Sequence, residues 1–308
     1  MADKTIAVVI PVYNREDCVA DALKSACEQE PPPDEVLVLD DCSTDRTPDI
    51  VRQFALRYPF VRSVRYPEKS ADWQLAMVEH VATSSVQYVV ILSSDDLLLP
   101  GWCAAVRRAI ADPAEPSIVF VNYRFTDEYR QPRGVCLSGV RCASFLPAEQ
   151  VWDLFRQPRI FETGVGTLVA RSLWVQIQKD AAALGPWSDS VGLSAAALRL
   201  GAYYCPEILA VFCHARKRIG YADRVCHDEQ AAGESFWQVT QYLRRPELKL
   251  TPEQINTLEY KILTCIDNEV LRSAWVYYKI AHALDMLRAG RGDYAEQVLA
   301  YRQPRLRA

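Results

Sequence analysis

The sequence predicts an α/β fold in which helices cover both faces of a mainly parallel sheet. Strand-like and helix-like segments alternate along the first 125 residues, which favours parallel strands joined by helical crossovers. The predicted strands are continuous hydrophobic runs, as expected for strands that are buried on both faces. At 308 residues the chain is long enough for one large domain, or for one domain with an appendage.

The expected elements follow in order from the N-terminus. Hydrophobic runs predict strands at residues 5–13, 36–39, 61–66, 88–92 and 117–125. Apolar residues at helical spacing predict helices at residues 16–29, 47–57, 71–82 and 102–110. We expect Thr47 to cap the second of these helices, with Pro48 at its first helical position, and Ser70 to cap the third.

The alternation weakens after residue 126. We expect a loop over 130–147, a helix over 193–201 and a strand over 202–214 that Pro206 interrupts. From about residue 222 the pattern is helical, so we predict a ligand-binding catalytic domain at 1–222 and a helical region at 223–308. This region is either a packed appendage or a partner-binding surface. Its predicted core residues are Trp237, Tyr242, Leu258, Ile262, Val270, Trp275, Ile280 and Leu284.

Composition excludes several classes of protein. The net charge is −4, from 35 basic and 39 acidic side chains, which does not favour nucleic-acid binding. The ten cysteines show no zinc-finger spacing and predict reduced thiols in a cytoplasmic protein. We see no charged-then-apolar leader and no apolar run approaching the ~20 residues that a membrane span needs.

Two pairs of acids follow predicted strands. Asp40 and Asp41 come after the strand at 36–39, and Asp95 and Asp96 come after the strand at 88–92. Ligands of such sheets bind at the carboxyl ends of the strands. The first glycine is Gly101, so no glycine-rich phosphate loop can follow the first strand. Carboxylates with Mg²⁺ or Mn²⁺ can bind a diphosphate instead.

Three segments resemble the family-2 inverting glycosyltransferases, which have the GT-A fold. They are VVIPVYNRED (8–17), LVLDDCSTDRT (37–47) and VVILSSDDLLLPGW (89–102), and the resemblance covers roughly residues 5–125. A fainter similarity continues through residues 187–212. The resemblance implies a nucleotide-diphosphate sugar as donor, a divalent cation and transfer of the sugar with inversion.

The resemblance also implies residues that bind the donor. Pro11 and Tyr13 would line the base and ribose pocket, and Asp41 with Asp40 would accept hydrogen bonds from the base. For Asp40, capping of its own loop stays open as an alternative. We assign Asp45 to local turn or cap structure, and Trp73 is expected to shape the donor pocket together with the neighbouring Gln74.

The D-x-D-type motif of the family corresponds to Asp95 and Asp96. Asp96 is the implied metal ligand, and Asp95 is a neighbour of the ribose or the metal. The usual first acid of the motif is replaced by a serine, Ser93 or Ser94. We expect Ser94 to help bind the donor. His214 is a further candidate ligand of the metal or pyrophosphate, with a structural role as the alternative.

The fainter segment carries the candidate catalytic base. Asp189 would take the proton from the acceptor, and a surface loop position is its alternative. The basic residues Arg216, Lys217 and Arg218 are either a clamp on the diphosphate or a solvated loop. Cys42 stands where many members of the family have glycine, a change that a right-handed turn would tolerate.

The sequence therefore predicts a metal-dependent inverting glycosyltransferase with a UDP-, dTDP- or GDP-linked donor and Mn²⁺ or Mg²⁺. We expect it to act in glycan, polysaccharide or glycoconjugate biosynthesis, on an acceptor that the sequence does not identify. Alternatives are an inactive donor-binding scaffold, a sugar nucleotidyltransferase and an aspartate-based phosphatase, whose second acid would fall on Cys42. Peripheral membrane contact and homo-oligomerisation through the helical region stay open.

Overall fold

A computed structural model describes residues 4–70, 72–126, 131–136, 139–157, 164–213 and 228–265, with single positions between 280 and 296. The chain forms two compact units. The first unit comprises Met1–Phe145, Thr163–Lys179 and Ala202–Lys217, and the second comprises Leu146–Glu162, Asp180–Gly201 and Arg218–Ala308. The predicted helical region at 223–308 lies within the second unit. This unit also contains Leu146–Glu162 and Asp180–Gly201, which the predicted boundary at residue 222 places in the first domain.

Within the described residues, a ten-stranded sheet forms the centre of the first unit. Its strands are β1 (Ile6–Val12), β2 (Glu35–Asp40), β3 (Val61–Arg65), β4 (Tyr88–Ile91), β5 (Leu97–Leu98), β6 (Ile118–Thr126), β7 (Pro132–Cys136), β8 (Ser144–Leu146), β9 (Leu168–Ala170) and β10 (Ala202–Cys213). Their order is β3-β2-β1-β4-β9-β6-β10-β5, with β7 on β6 and β8 on β10.

The long pairings of the sheet are parallel. Strand β1 pairs in parallel with β2, where Val12 lies opposite Asp40, and with β4, where Val9 lies opposite Ile91. Strand β10 runs parallel to β6, whereas β9 is antiparallel to both β4 and β6. The carboxyl ends of β1, β2 and β4 therefore meet at one edge, as the sequence predicts.

Four helices of the first unit follow the predicted order, α1 (Val19–Cys27), α2 (Thr47–Arg57), α3 (Trp73–Thr83) and α4 (Trp102–Ile110). A further helix, α6 (Arg171–Ala181), lies in this unit for most of its length and was not predicted. Two predicted caps are wrong. The N–H of Thr47 donates to Asp45 Oδ1 at 2.9 Å, so α2 begins at Thr47 itself. Helix α3 is capped by Asp72, which accepts from the N–H of Leu75 at 3.0 Å.

The core of the first unit includes one close backbone approach. The indole Nε1 of the fully buried Trp102 donates to the carbonyl oxygen of Gly166 at 2.8 Å. Gly166 has φ +66°, and a Cβ there would lie 2.7 Å from Ala210 Cβ and 3.0 Å from Val121 Cγ2. Both the backbone conformation and the surrounding space therefore require glycine at this position.

The region after residue 126 differs from the sequence-based expectation. The predicted loop at 130–147 contains β7, which pairs with β6, and β8, which pairs with β10. Strand β10 continues past Pro206, because its pairing with β6 shifts register after Cys205 and again after Ile208. The carbonyl oxygen of Pro206 accepts from Asn122 Nδ2 at 2.6 Å, which holds the irregular stretch against β6.

The described part of the second unit is helical. It contains α5 (Ala148–Phe155), a 3-10 helix (Ala182–Trp187), α7 (Ser188–Leu200), α8 (Glu229–Leu243), a short 3-10 helix (Pro246–Leu248) and α9 (Pro252–Cys265). Inside this unit the fully buried carboxylate of Glu259 binds the guanidinium of Arg244 through both oxygens. The Nζ of Lys261 donates to the carbonyl oxygen of Gln157 at 2.7 Å. The buried carboxylate is thus paired with a cation, and the buried ammonium is hydrogen-bonded, within the unit.

The predicted core of the helical region is right in part. Tyr242, Leu258 and Ile262 are buried as predicted. Trp237 is 62% exposed, because the buried side of α8 carries residues 232, 236, 239 and 243, and Trp237 lies off that side. The predictions for Ile280 and Leu284 are also wrong, since both are about half exposed. Val270 and Trp275 lie outside the described residues.

Among the described residues, no helix combines the length and the apolar character that crossing a membrane requires.

Candidate functional site

The loops after β1 and β2 are bound to each other at the carboxyl edge of the sheet. The N–H of Asn14 donates to Ser43 Oγ at 2.9 Å, and Asn14 Oδ1 accepts from the N–H of Thr44 at 2.7 Å. The N–H of Arg15 donates to Thr47 Oγ1 at 2.8 Å. These polar side chains fix the two loops against each other, so the residues between them have a defined position.

Asp45 contributes to the same arrangement. Its Oδ1 accepts from Thr47, as described above, and its Oδ2 accepts from the N–H of Glu16 at 3.2 Å. The assignment of Asp45 to local turn structure is therefore confirmed.

Asp40 is engaged mainly with its own turn. Its carboxylate is buried, and Oδ1 accepts from the N–H of Ser43 at 2.9 Å. The Nε of Arg65 lies 3.5 Å from Oδ2. These contacts match the alternative in which Asp40 caps its loop, and a role in donor binding stays a prediction.

The turn after β2 is left-handed. Cys42 has φ +63°, and its N–H donates to the carbonyl oxygen of Asp40 at 2.9 Å. Cys42 therefore lacks the right-handed conformation in which cysteine would replace glycine without strain. A left-handed residue with a Cβ costs about 1–2 kcal/mol relative to the usual conformation, and the hydrogen bonds of the surrounding loops hold Cys42 in place.

Tyr13, Asp41 and Lys69 form a cluster at this edge, which we call the Tyr13 cluster. Asp41 is 7% exposed, and its Oδ1 accepts from the N–H of Ser70 at 2.7 Å. The Nζ of Lys69 lies 3.2 Å from Asp41 Oδ2 and 3.2 Å from the centroid of the Tyr13 ring. Lys69 thus makes an ion pair and a cation–π contact at the same time.

Sequence reasoning missed Lys69. It lies in the loop between β3 and α3, 28 positions after Asp41 and 56 after Tyr13. The available signal was the position of Lys69 in the loop after β3, because loops that follow parallel strands lie at the same edge of the sheet.

The loop after β4 carries the second acid pair. Asp96 is 4% exposed, and its Oδ1 accepts from the N–H of Cys213 at 2.9 Å. Burial, and secondarily the adjacent Asp95, raise the pKa of Asp96 well above the ordinary value. The Arg15 guanidinium lies 3.5 Å from Asp95 Oδ2. Ser94, the serine within the motif, is buried beside them.

This acid pair fits one kind of metal site. Mg²⁺ and similar cations are commonly held by one or two protein carboxylates together with substrate phosphates. A bound cation would stabilise the ionised form of these two adjacent carboxylates, one of which is buried and therefore hard to ionise. In the part of the chain that the structure describes, no three His, Cys, Asp or Glu side chains group closely enough to hold a metal. The donor set therefore fits a cation that a diphosphate helps to bind.

The remaining predicted donor residues lie near this edge or outside the described chain. Pro11 belongs to β1 and lies opposite Leu39 of β2. Trp73 is the first residue of α3 and is exposed. The neighbouring Gln74 donates from Nε2 to Gln178 Oε1 at 2.8 Å, which joins α3 to α6. His214, Arg216, Lys217 and Arg218 lie outside the described residues.

Asp189 belongs to the second unit. It lies in the first turn of α7 and is half-buried between the buried residues Ser188 and Ser190. The alternative of a surface loop is wrong, because a helix rather than a loop carries this residue. Its role as a base stays a prediction.

Comparison with known proteins decides the family. The model of glycosyl transferase family 2 matches residues 7–173, more than half of the chain. The chain belongs to this family. The matched range includes β1, β2 and β4 and therefore both acid pairs, so the resemblance that the three sequence segments indicated is confirmed.

Individual relatives match over shorter stretches. The chain is 33% identical over 91 residues to the putative teichuronic acid biosynthesis glycosyltransferase TuaG of Bacillus subtilis (strain 168). It is 30% identical over 95 residues to the poly(ribitol-phosphate) beta-glucosyltransferase of Bacillus spizizenii. These stretches cover 30% of this chain in each case, and 36% and 15% of the two relatives.

Solved structures show the same fold. The crystal structure of S. aureus TarS residues 1–349 is similar over 96% of this chain and 90% of that chain, with a TM-score of 0.54 and 17% sequence identity. At this identity the likeness concerns the fold alone. The predicted α/β architecture of GT-A type is confirmed.

Proposed function

We propose that this family-2 member transfers a sugar from a nucleotide-diphosphate sugar to an acceptor nucleophile, with inversion at the anomeric carbon. The observation that carries this proposal is that the Tyr13 cluster and the Asp95–Asp96 pair both lie at the carboxyl edge of the parallel strands, where Arg15 of the loop after β1 lies 3.5 Å from Asp95 Oδ2 of the loop after β4. A crystal structure of TarS in complex with UDP-GlcNAc, similar over 96% of this chain, adds support for a nucleotide-sugar donor.

The Tyr13 cluster is the proposed base site. A nucleobase stacks on the Tyr13 ring, and a ring N–H donates to the carboxylate of Asp41. Pro11, Asp40, Trp73 and Ser94 would complete the donor site around it. Stacking and one directed hydrogen bond together fix the orientation of the nucleotide, so the diphosphate extends toward the loop after β4.

The Asp95–Asp96 pair is the proposed cation site, with His214 as a further candidate ligand. A bound Mn²⁺ or Mg²⁺ would offset the charge that grows on the departing nucleotide diphosphate. Asp96 is suited to hold such a cation, because the N–H of Cys213 fixes one of its oxygens at 2.9 Å. Asp95 lies next to it, where Arg15 limits its movement.

Asp189 is the proposed general base. It would accept the proton of the acceptor hydroxyl as that oxygen attacks the anomeric carbon from the side opposite the leaving group. Since the attack and the departure are on opposite faces of the sugar, the configuration inverts. The relatives named for teichuronic acid and poly(ribitol-phosphate) support an acceptor in polysaccharide biosynthesis.

Membership of the family favours this reaction over the alternatives of a nucleotidyltransferase or an aspartate-based phosphatase. The remaining alternative is a scaffold that binds the donor without turning it over. Thermal unfolding with UDP, dTDP and GDP, each with and without Mn²⁺, tests the donor site. A ligand at about 100 times its Kd raises the free energy of unfolding by about 2.7 kcal/mol.

We expect stabilisation by at least one of these nucleotides, and more of it with Mn²⁺ than without. Release of free nucleotide diphosphate from the matching nucleotide sugar, measured over hours, then separates an enzyme from a scaffold. No stabilisation by any of the three would disprove the proposal.

A further inference from the structure

We propose that Lys69 is a nucleobase-binding residue that makes the site select bases with a carbonyl oxygen beside a ring N–H, uracil and thymine above all. This inference rests on the proposed function, because it assumes that a nucleotide binds at the Tyr13 cluster. It assigns a specificity role to a residue that the sequence patterns did not single out.

The position of Lys69 is the first argument. Its ammonium lies 3.2 Å from Asp41 Oδ2 and 3.2 Å from the centroid of the Tyr13 ring. The ammonium therefore covers a face of the ring on which a base would stack. A base that stacks there takes the place of the ammonium, and the Lys69 side chain has to move. Its side chain is 54% exposed, so it has room to move.

Asp41 determines where Lys69 moves. The carboxylate is nearly buried, and its Oδ1 is already bound by the N–H of Ser70. Removing the cation that compensates a buried carboxylate is costly, so we expect the ion pair to persist when the base binds. The ammonium then lies at the edge of the base, beside the group that the base presents to Asp41.

Hydrogen-bonding chemistry then decides which bases fit. A carboxylate only accepts hydrogen bonds and a lysine ammonium only donates them. The base must therefore present a donor to Asp41 and an acceptor to Lys69 next to each other. In uracil and thymine the ring N–H lies between two carbonyl groups, so Lys69 meets an acceptor on either side.

Other bases fit less well. Guanine offers a carbonyl on one side of its ring N–H and an amino group on the other, so it fits in one orientation. In the placement of uracil, cytosine and adenine turn an unprotonated ring nitrogen toward Asp41 and an amino group toward Lys69, so acceptor faces acceptor and donor faces donor. The expected order of affinity is uracil and thymine first, then guanine, then cytosine and adenine.

The test compares five nucleotides on four proteins. Dissociation constants of UDP, dTDP, GDP, CDP and ADP are measured by calorimetry with Mn²⁺ present. The proteins are the wild type, Lys69→Met, Lys69→Arg and the control Lys24→Met, which changes an exposed lysine on α1. Lys69→Met leaves the Asp41 carboxylate without its cation and should lower the stability, so thermal unfolding checks that each protein is folded at the temperature of the binding assay.

We expect the wild type to bind UDP at least about tenfold more tightly than CDP, as one hydrogen bond to a charged group predicts. Lys69→Met should weaken UDP binding by about tenfold and CDP binding by less than about threefold, so the preference largely disappears. Lys69→Arg keeps the positive charge and should keep the preference. Lys24→Met should match the wild type.

Two results would overturn the inference and leave the proposed function intact. One is an unchanged preference for UDP in Lys69→Met. The other is tighter binding of all five nucleotides by Lys69→Met, which would show that Lys69 only competes with the base for the face of the Tyr13 ring. If the wild type binds none of the five, the proposed function itself is wrong.

Discussion

The Asp96 carboxylate accepts a hydrogen bond from the backbone N–H of Cys213 at 2.9 Å, across 117 positions of the chain. This bond ties the loop after β4 to the last residue of β10. The proposed cation site therefore depends on a strand that lies outside the range matched by the family model, which ends at residue 173.

The charge of Asp96 and its hydrogen bond can be separated by mutation. Asp96→Asn keeps an oxygen for the N–H of Cys213 but removes the negative charge. We expect this variant to fold with stability near that of the wild type and to lose Mn²⁺-dependent stabilisation by nucleotide. Asp96→Ala also leaves a buried N–H unpaired, which should cost about 1–3 kcal/mol of stability.

Thermal unfolding with UDP, with and without Mn²⁺, measures both effects. The matched control is Asp49→Asn, which changes an exposed acid in the first turn of α2 that pairs with Arg52. Mn²⁺-dependent stabilisation of Asp96→Asn equal to that of the wild type would remove Asp96 from the cation site.

Asp189→Ala should separate binding from turnover. We expect unchanged affinity for the nucleotide diphosphate and a turnover lower by about 10²–10⁴-fold, the usual contribution of a general base. Steady-state release of nucleotide diphosphate and calorimetry measure the two quantities. Asp153→Ala is the control, since it removes an exposed acid on α5 of the same unit. Normal turnover by Asp189→Ala would show that another group is the base.

Gly166→Ala should destabilise the first unit. The added Cβ would lie 2.7 Å from Ala210 Cβ, and the backbone is already left-handed at this residue. Overpacking of this kind costs about 1–3 kcal/mol. Urea unfolding measures the change against Gly134→Ala in β7, where a Cβ would meet nothing within 4 Å. Equal stabilities of the two variants would contradict the close packing around Trp102.

Two cysteines should differ in reactivity toward iodoacetamide at pH 8. Burial, with a smaller contribution from Glu207, raises the pKa of Cys205 to about 12, so about one part in 10⁴ of that thiol is ionised at pH 8. Cys142 is exposed. Peptide mass spectrometry should find Cys142 modified in the folded protein and Cys205 modified only in urea. Equal rates in the folded protein would contradict the burial of Cys205.

The sequence predicts the parts of the fold that are locally encoded. Strands β1, β2 and β4 are long hydrophobic runs that end in recognisable polar residues, so their order and the edge they share follow from the pattern. Strands β5 and β9 have two and three residues, too few for a periodicity. Neighbouring strands define them, as β9 shows by pairing with both β4 and β6.

The candidate site also combines features that the local sequence predicts with features that depend on packing. The sequence places Asp40 and Asp41 together at a strand end and leaves loop capping open as an alternative for Asp40. In the structure the Asp40 carboxylate turns to the N–H of Ser43, whereas that of Asp41 faces Lys69. The loop after β3 places Lys69 near this edge, but its contacts with Asp41 and Tyr13 could not be predicted, because they arise from the packing of separate loops.

The place of β10 between β6 and β5 affects how the protein can be made and shortened. A fragment ending at residue 173 would contain every residue of the family match but would expose one long edge of β6, and such edges promote aggregation. During synthesis on the ribosome, β10 can pair fully with β6 only after residue 213 has left the exit tunnel. Until then, the growing chain is a candidate for chaperone binding.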